Sequence, residues 1–179
     1  MSIDTAEWAQ AILTFLRNNQ GWVAPIVFAL AFAESLAFIA LLVPATVILW
    51  GVGAMIGASG ISFLPVWFAA MLGAALGDWL SYWLGYHYHD KIARMWPLTK
   101  YPDLLPKGHV FFEKWGAAGV FIGRFFGPLR AAVPLVAGAC QMDRVTFQIA
   151  NWSSAVVWAA VTLGPGAFGA EWLKNYFHW

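Results

Sequence analysis

The sequence predicts an all-α membrane protein in which two re-entrant helical hairpins face each other in an inverted arrangement. The 179 residues are 61% hydrophobic and 11% charged, with a mean hydropathy of +0.65. Soluble domains carry about 25% charged residues, so this chain has too little polar surface to face water all round. Two long apolar stretches contain charges and helix breakers, and each is followed by a cleaner apolar stretch of spanning length. That repeated alternation predicts the hairpins and the transmembrane helices.

Residues 4–19 predict an amphipathic helix at the membrane interface. Asp4 is a candidate N-cap, and Glu7 follows three residues later as in a capping box. The apolar side chains of this segment share one helical face, which favours an interfacial position. Because acidic residues stand where a signal peptide would carry positive charge, we expect no cleaved leader.

Residues 21–58 predict the first hairpin. One membrane span needs roughly 20 residues, and this stretch is nearly twice as long. Glu34 is its only charged residue, and Pro44 lies near its middle as the predicted break. Hydropathy alone also allows two short spans. A buried charge ahead of a central proline favours the hairpin, since irregular backbone at membrane depth is tolerated where protein or a cavity satisfies it.

Residues 62–88 predict a transmembrane helix with a face of small residues. Such a face permits close helix packing. Asp78 and Tyr82 lie one turn apart beside it, so Asp78 is expected to bond Tyr82, bond another helix or contact a substrate. The small residues, at intervals of four, are Gly73, Gly77, Ser81 and Gly85.

Residues 89–107 predict a polar loop. We expect it to be cytoplasmic, because its excess of lysine and arginine is the largest of any predicted loop.

Residues 108–140 predict the second hairpin. Its central part contains two charged residues, Arg124 and Arg130. An arginine at the bilayer centre costs about 2.5–3.5 kcal/mol on insertion scales, which favours a broken helix around a polar, protein-lined anion site. The predicted breaks are Gly127, Pro128 and Pro134.

Residues 145–163 predict the second transmembrane helix, which ends at a Gly-Pro-Gly sequence, and residues 167–179 a short terminal helix at the interface. A re-entrant hairpin enters and leaves the membrane on the same side, whereas a transmembrane helix crosses the membrane once. If both broken segments are hairpins, the two halves are therefore inverted relative to each other, as in many secondary transporters.

Four motifs, in order along the chain, resemble those of the DedA family of membrane proteins, also called SNARE-associated or VTT-domain proteins. They are Phe32-Ala-Glu-Ser35 with Val43-Pro44-Ala45-Thr46, Gly77-Asp78-x3-Tyr82-x2-Gly85, Gly123-Arg-Phe-x4-Arg-x3-Pro-x2-Ala-Gly138, and Asn151-Trp152.

The resemblance implies facing re-entrant hairpins, a multi-pass location in the bacterial inner membrane, and movement of phospholipids or polyprenyl phosphates between leaflets. It also implies recycling of undecaprenyl phosphate, often dependent on the proton gradient. Many members carry Pro-Gly-Asp where this chain has Pro44-Ala45-Thr46. That missing carboxylate argues against a proton-coupling scheme with two carboxylates, although members with threonine there form a recognisable branch.

Each candidate site residue has a functional and a structural interpretation. Arg124 and Arg130 are interpreted as a clamp for phosphate, because a guanidinium offers planar, bidentate donors; the alternative is neutralisation of Glu34 or Asp78. Glu34 is a proton carrier or an ion-pair partner. Thr46 caps backbone near the proline break or contacts the ligand.

The chain carries no set of residues for hydrolytic catalysis, metal binding or a cofactor, so we expect neither an enzyme nor a cofactor. No basic stripe predicts nucleic-acid binding. The expected partners are an anionic lipid or polyprenyl phosphate, the bilayer and protons, and a homo-oligomer is compatible with the sequence. We expect a lipid transporter; the alternatives are a proton-coupled transporter of a small anion and a non-transporting membrane scaffold.

Overall fold

The computed structural model describes residues 14–15, 18–36, 45–59, 61–89, 104–126 and 129–177. Over these ranges the chain is helical, with no strand. A short 3-10 helix, Gln20–Trp22, leads into the first of the six α-helices whose bounds the structure describes. The α-helices are α1 (Val23–Ser35), α2 (Ala45–Ser59), α3 (Phe63–His87), α4 (Leu104–Gly123), α5 (Leu129–Ala139) and α6 (Arg144–Phe177).

Local sequence explains where several helices begin. Pro25, Pro65 and Pro106 each occupy the third position of α1, α3 and α4. A proline costs little there, because the first N–H groups of a helix have no intrahelical acceptor. At the start of α6, Asp143 Oδ2 accepts hydrogen bonds from the backbone N–H and the hydroxyl of Thr146, each at 2.8 Å. The backbone bond from Thr146 lowers the pKa of Asp143, which keeps this N-cap ionised.

α3 and α6 cross the whole bundle in opposite directions. Near the C-terminal end of α3, the Arg144 guanidinium lies 4.6 Å from the centre of the Tyr86 ring. At the other end of α3, the rings of Phe63 and Phe168 are 5.0 Å apart. The start of α6 therefore lies beside the end of α3. Of the described helices, Phe63–His87 is the one that is long and apolar enough to cross a membrane by the criteria of length and composition.

The first pair of shorter helices, α1 and α2, lies toward the start of α3. α1 runs parallel to α3, with Phe28 against Gly73 and then Phe32 against Gly77. Its last turn places Glu34 beside Thr46, at the beginning of α2. α2 then packs on the later part of α6, where both helices come into backbone contact at glycines.

The second helix pair, α4 and α5, lies toward the other end of α3. Gly108, near the start of α4, contacts Cys140 just after α5, and Gly123, at the end of α4, contacts Val133. α4 and α5 are therefore antiparallel, and the first turn of α5 faces the last turn of α1. The two pairs extend inward from opposite ends of the bundle and meet beside Asp78 of α3.

The chain divides into two halves, α1–α3 and α4–α6, and the second short helix of each half, α2 or α5, packs on the long helix of the other half. α1 packs on α3 and α4 packs on α6, each on the long helix of its own half. α2 packs on α6 and α5 packs on α3, each on the long helix of the other half. The same pattern of contacts therefore occurs twice, once for each half of the chain.

The structure differs from the sequence-based expectation around two prolines. α6 continues through Pro165 to Phe177, whereas we expected one helix over 145–163 and another over 167–179. A proline keeps a helical φ and removes one backbone bond, and Gly166 here packs directly on the backbone of α2, which supports the continuous helix. Pro134 is likewise inside α5, fully buried, and is not a break.

α4 also differs from expectation. It begins at Leu104, so the last residues of the predicted loop 89–107 are helical. Gly116 has φ 46° and ψ −127°, which divides α4 with a kink. Several other predictions lie outside the described residues: most of the interfacial helix over 4–19, the loop residues 90–103, and the breaks at Pro44, Gly127 and Pro128.

Candidate functional site

Four charged side chains meet where the inner ends of the two helix pairs approach α3. Glu34, Asp78, Arg124 and Arg130 are 5%, 4%, 3% and 8% exposed. Removing a charge from water costs several kcal/mol per ion unless a partner compensates. The cluster has two carboxylates and two guanidiniums, so it can be neutral as a whole.

The first ion pair fastens the end of α4 to the two long helices. Arg124 lies in the turn that follows α4, and its Nη2 donates to Asp78 Oδ2 of α3 at 2.5 Å. The same nitrogen donates to Asn151 Oδ1 of α6 at 2.5 Å. Asn151 in turn donates from Nδ2 to the Ala75 carbonyl oxygen at 2.9 Å. Asn151 therefore joins α6, α3 and the arginine, and fixes the position of the Arg124 side chain.

The second ion pair connects the two helix pairs directly. Arg130 Nη1, in the first turn of α5, donates to Glu34 Oε1 of α1 at 2.8 Å. The Thr46 hydroxyl, at the start of α2, donates to the same carboxylate oxygen. The Arg130 guanidinium also lies over the ring of Trp158, 4.4 Å from its centre, which is a favourable cation–π geometry.

Both arginines retain buried N–H groups beyond these pairs. Among the described residues, no acceptor bonds Arg124 Nε or Nη1, or Arg130 Nη2, and no donor bonds Glu34 Oε2. A buried polar group without a partner costs about 1–3 kcal/mol. Three guanidinium donors on two neighbouring residues match a ligand with several anionic oxygens, such as a phosphate.

The structure brings together five of the six residues singled out in the sequence as binding or transport candidates. Glu34, Thr46 and Arg130 form one group, and Asp78 and Arg124 the other. Tyr82 lies elsewhere. Its hydroxyl donates to the Met142 carbonyl oxygen at 2.6 Å and its ring stacks on Phe147, so it fastens the turn before α6 and does not bond Asp78.

Two residues of the site were not identified as candidates from the sequence. Asn151 had a signal, because it is a polar residue within an apolar span, where such residues usually face other helices. Trp158 is one of many aromatic residues in this chain and has no distinguishing pattern. Its contact with Arg130 depends on how α5 and α6 approach each other.

Comparison with known proteins gives a family match and several relatives. Residues 43–168 match the VTT domain. The inner membrane protein YabI of Escherichia coli K12 is 34% identical over 158 residues, which is 88% of this chain and 62% of YabI. The inner membrane protein YqjA of the same organism is 28% identical over 166 residues, which is 89% of this chain and 74% of YqjA. The uncharacterized membrane protein BU139 of Buchnera aphidicola is 30% identical over 175 residues, which is 94% of this chain and 68% of BU139.

This chain spans less than two thirds of the length of YabI. No solved structure matches it. Two of the relatives are named inner membrane proteins, which supports an inner membrane location. The domain match covers well over half of the chain, and the helical fold agrees with it. The chain therefore belongs to the VTT-domain family of membrane proteins, also called the DedA family.

Proposed function

We propose that this chain is a transporter of the bacterial inner membrane that moves an anionic lipid from one leaflet to the other, with undecaprenyl phosphate as the first candidate and other anionic phospholipids next. The observation that carries the proposal is the pair of buried arginines at the meeting point of the two helix pairs. Each arginine is held through a single Nη atom, and further N–H groups are left without an acceptor among the described residues.

The two helix pairs are proposed to be re-entrant hairpins. α1, α2 and α5 have 13, 15 and 11 residues. At 1.5 Å per residue these helices are about 20, 22 and 16 Å long, while the hydrocarbon core of a bilayer is about 30 Å thick. None of the three would cross it alone. Entry from opposite ends would place Arg124 and Arg130 at depth, surrounded by protein, as irregular backbone in a membrane requires.

A lipid phosphate would bind by exchanging partners with the carboxylates. In the described state Asp78 and Glu34 neutralise the arginines. A phosphate that replaces a carboxylate keeps the charges balanced and adds oxygens for the remaining N–H groups. The arginines are already dehydrated, so little water has to be removed from the protein when the phosphate arrives. The hydrocarbon part of the lipid stays in the bilayer.

Glu34 is the proposed exchangeable partner. It bonds Arg130 and Thr46 through one oxygen, Oε1. When the phosphate binds Arg130, the released carboxylate would take up a proton or another partner, since an unpaired buried charge is costly. Proton uptake at this step would couple lipid movement to pH.

Two other functions remain as alternatives. The existing ion pairs favour a non-transporting scaffold, because a scaffold needs only a neutral, fastened core. The unpartnered arginine N–H groups favour a transporter, because a purely structural site gains nothing from leaving them without acceptors. A transporter of a small soluble anion would use the same arginines but would need an aqueous route to them.

Purified protein reconstituted into vesicles tests the function. A labelled undecaprenyl phosphate in the outer leaflet is followed by its protection from a quencher that does not cross the membrane. We expect protein-dependent protection for this lipid and not for a labelled phosphatidylcholine. Equal movement of both lipids would indicate a non-specific defect, and movement of neither would leave the scaffold as the better account.

A further inference from the structure

The last turn of α1 contains a buried hydroxyl that neither ion pair uses. Ser35 is fully buried, and its Oγ has no hydrogen-bond partner among the described residues. Buried polar side chains are nearly always hydrogen-bonded, because leaving one without a partner is costly. An unbonded hydroxyl at this position is therefore unfavourable unless another state of the protein uses it.

The packing of α1 on α3 places this hydroxyl beside Asp78. Ser35 is the last residue of α1, where helix carbonyls lack intrahelical donors, and its carbonyl oxygen accepts from Ser81 Oγ of α3 at 3.1 Å. A Cβ on Gly77 would lie 2.7 Å from the Ser35 Cβ, so the Ser35 side chain packs on the turn of α3 that carries Asp78. The hydroxyl is close enough to influence the Asp78 carboxyl, although it does not reach the geometry of a hydrogen bond.

Each of the other three buried charges contacts a neutral side chain as well as its ion-pair partner. These contacts join Glu34 with Thr46, Arg124 with Asn151, and Arg130 with Trp158. A neutral partner that stays in place when the ion pair opens lowers the cost of leaving a buried charge unpaired. For Asp78, the neighbouring neutral group is the Ser35 hydroxyl.

We propose that Ser35 is a positioning residue whose hydroxyl donates to Asp78 when Arg124 turns from that carboxylate to the transported anion. This role rests on the proposed function and specifies what compensates Asp78 at the step that frees Arg124. In the described state Arg124 Nη2 donates to Asp78 Oδ2 at 2.5 Å. Once that bond opens, rotation of the Ser35 side chain completes a charge-assisted hydrogen bond, so the carboxylate keeps a donor. The hydroxyl therefore stabilises the open ion pair and not the closed one.

A double-mutant cycle on thermal unfolding of the purified full chain tests this role without a ligand. Ser35→Ala removes the hydroxyl, and Arg124→Gln opens the ion pair. We expect Ser35→Ala alone to leave the melting temperature unchanged or slightly raised, because the lost hydroxyl is unbonded. In the Arg124→Gln background it should lower the melting temperature by at least about 3 °C, the equivalent of one charge-assisted hydrogen bond. Ser35→Cys, which keeps the volume but donates weakly, should behave like Ser35→Ala.

Ser81→Ala is the matched control. The Ser81 hydroxyl is also buried, but it already donates to the Ser35 carbonyl oxygen. Its removal should lower the melting temperature by about 2–4 °C, equally in the native and Arg124→Gln backgrounds. Equal effects of Ser35→Ala in the two backgrounds would overturn the inference, and so would a loss in the native background as large as that of Ser81→Ala.

Binding of dioleoyl phosphatidate in lipid nanodiscs separates this inference from the function on which it rests. We expect Ser35→Ala to weaken phosphatidate about tenfold or more without a loss of thermal stability, because only the bound state uses the hydroxyl. Wild-type affinity in Ser35→Ala would overturn the role of Ser35 and leave the proposed function standing; this measurement also decides if Arg124→Gln does not fold. If the wild type binds neither phosphatidate nor inorganic phosphate, the proposed function fails, and the thermal cycle alone decides whether Ser35 bonds Asp78.

Discussion

Arg124 and Arg130 are both buried guanidiniums, but they are held by different parts of the molecule. Arg124 bonds Asp78 and Asn151, which belong to the two long helices. Arg130 bonds Glu34, at the inner end of the other helix pair, and lies over Trp158. Arg124 therefore fastens its turn to the frame of the bundle, whereas Arg130 connects one pair to the other.

Arg124→Lys and Arg130→Lys separate charge from geometry. A lysine keeps the positive charge but replaces the planar fork by a compact ammonium. We expect each variant to insert and fold, and to lose lipid-phosphate affinity by about ten- to a hundred-fold, the equivalent of one charge-assisted hydrogen bond. The alanine variants should also be destabilised, by about 3–5 kcal/mol, because each leaves a buried carboxylate unpaired.

Both properties are measured on purified, folded variants, affinity by equilibrium binding and stability by thermal unfolding. If both lysine variants bind and move the lipid like wild type, the arginines have a structural role, and their interpretation as a phosphate clamp is wrong.

Glu34→Gln should impair transport without unfolding the protein. The glutamine oxygen can still accept from Thr46 and Arg130, and the Trp158 ring still lies against the guanidinium. The variant loses the negative charge and the ability to take up a proton, so transport should slow and its dependence on pH should flatten. The matched control is Glu113→Gln, at an exposed position of α4. A variant at Glu34 with the wild-type rate and pH profile would limit this residue to a structural role.

At the scale of single residues, the sequence identified the buried charged residues but not which of them form ion pairs. A charged residue within an apolar run is conspicuous, and Glu34, Asp78, Arg124 and Arg130 were found in that way. The pairing joins residues far apart in the chain: Glu34 and Arg130 are separated by 96 positions. Which arginine meets which carboxylate depends on how the two helix pairs approach each other, and no local pattern carries that information.

Among the described helices, α3 and α5 pack backbone against backbone. A Cβ on Gly138 would overlap the Tyr82 carbonyl oxygen, and a Cβ on Gly85 would overlap that of Leu135. The backbones are in direct contact here, as small-residue faces permit in membrane proteins. The α3–α5 interface therefore has no space for a single methyl group.

Gly138→Ala should lower the free energy of unfolding by about 1–3 kcal/mol, the usual cost of overpacking. Gly169→Ala is the matched control, because a Cβ on this helical glycine has no atom within 4 Å. Without a clash, alanine in a helix is more favourable than glycine by about 0.5–1 kcal/mol, so the control should stabilise slightly. Thermal unfolding in detergent measures both. Equal effects of the two substitutions would contradict the tight α3–α5 contact.

The sequence indicated the packing face of α3 but not the shapes of α4 and α6. Small residues at intervals of four mark a face directly. The kink at Gly116 had no such signal, since a glycine within an apolar run is also compatible with a straight helix. Pro165 had a misleading one. A proline between two glycines usually ends a helix, but here tertiary contact with α2 supports continuation.

For the whole molecule, the proposed topology makes each helix pair begin and end on one side of the membrane. Single cysteines are placed in a Cys140→Ser background at exposed positions near the two ends of each pair. Asn19 and Ser62 flank the first pair; Lys107 lies in the first turn of α4, and Val145 follows α5. We expect Asn19→Cys and Ser62→Cys to react with an impermeant reagent from one side, and Lys107→Cys and Val145→Cys from the other, cytoplasmic, side.

The labelling is compared in intact cells and in inverted vesicles, with each variant first shown to be active. Labelling of the two ends of one pair from opposite sides would refute the re-entrant hairpin for that half. Labelling of Lys107→Cys from outside the cell would refute the orientation, which rests on the lysine and arginine excess of residues 89–107.

The packing of α2 and α5 on the long helices of the opposite halves limits how this molecule can change shape. α2 lies on α6 and α5 lies on α3, and both interfaces include backbone contacts at glycine positions. These two interfaces interlock the halves, so the halves cannot separate as rigid bodies without opening both interfaces at once. A packed glycine contact does not deform gradually, since protein interiors have little free volume. A change of shape that leaves both interfaces intact therefore moves α2 together with α6 and α5 together with α3.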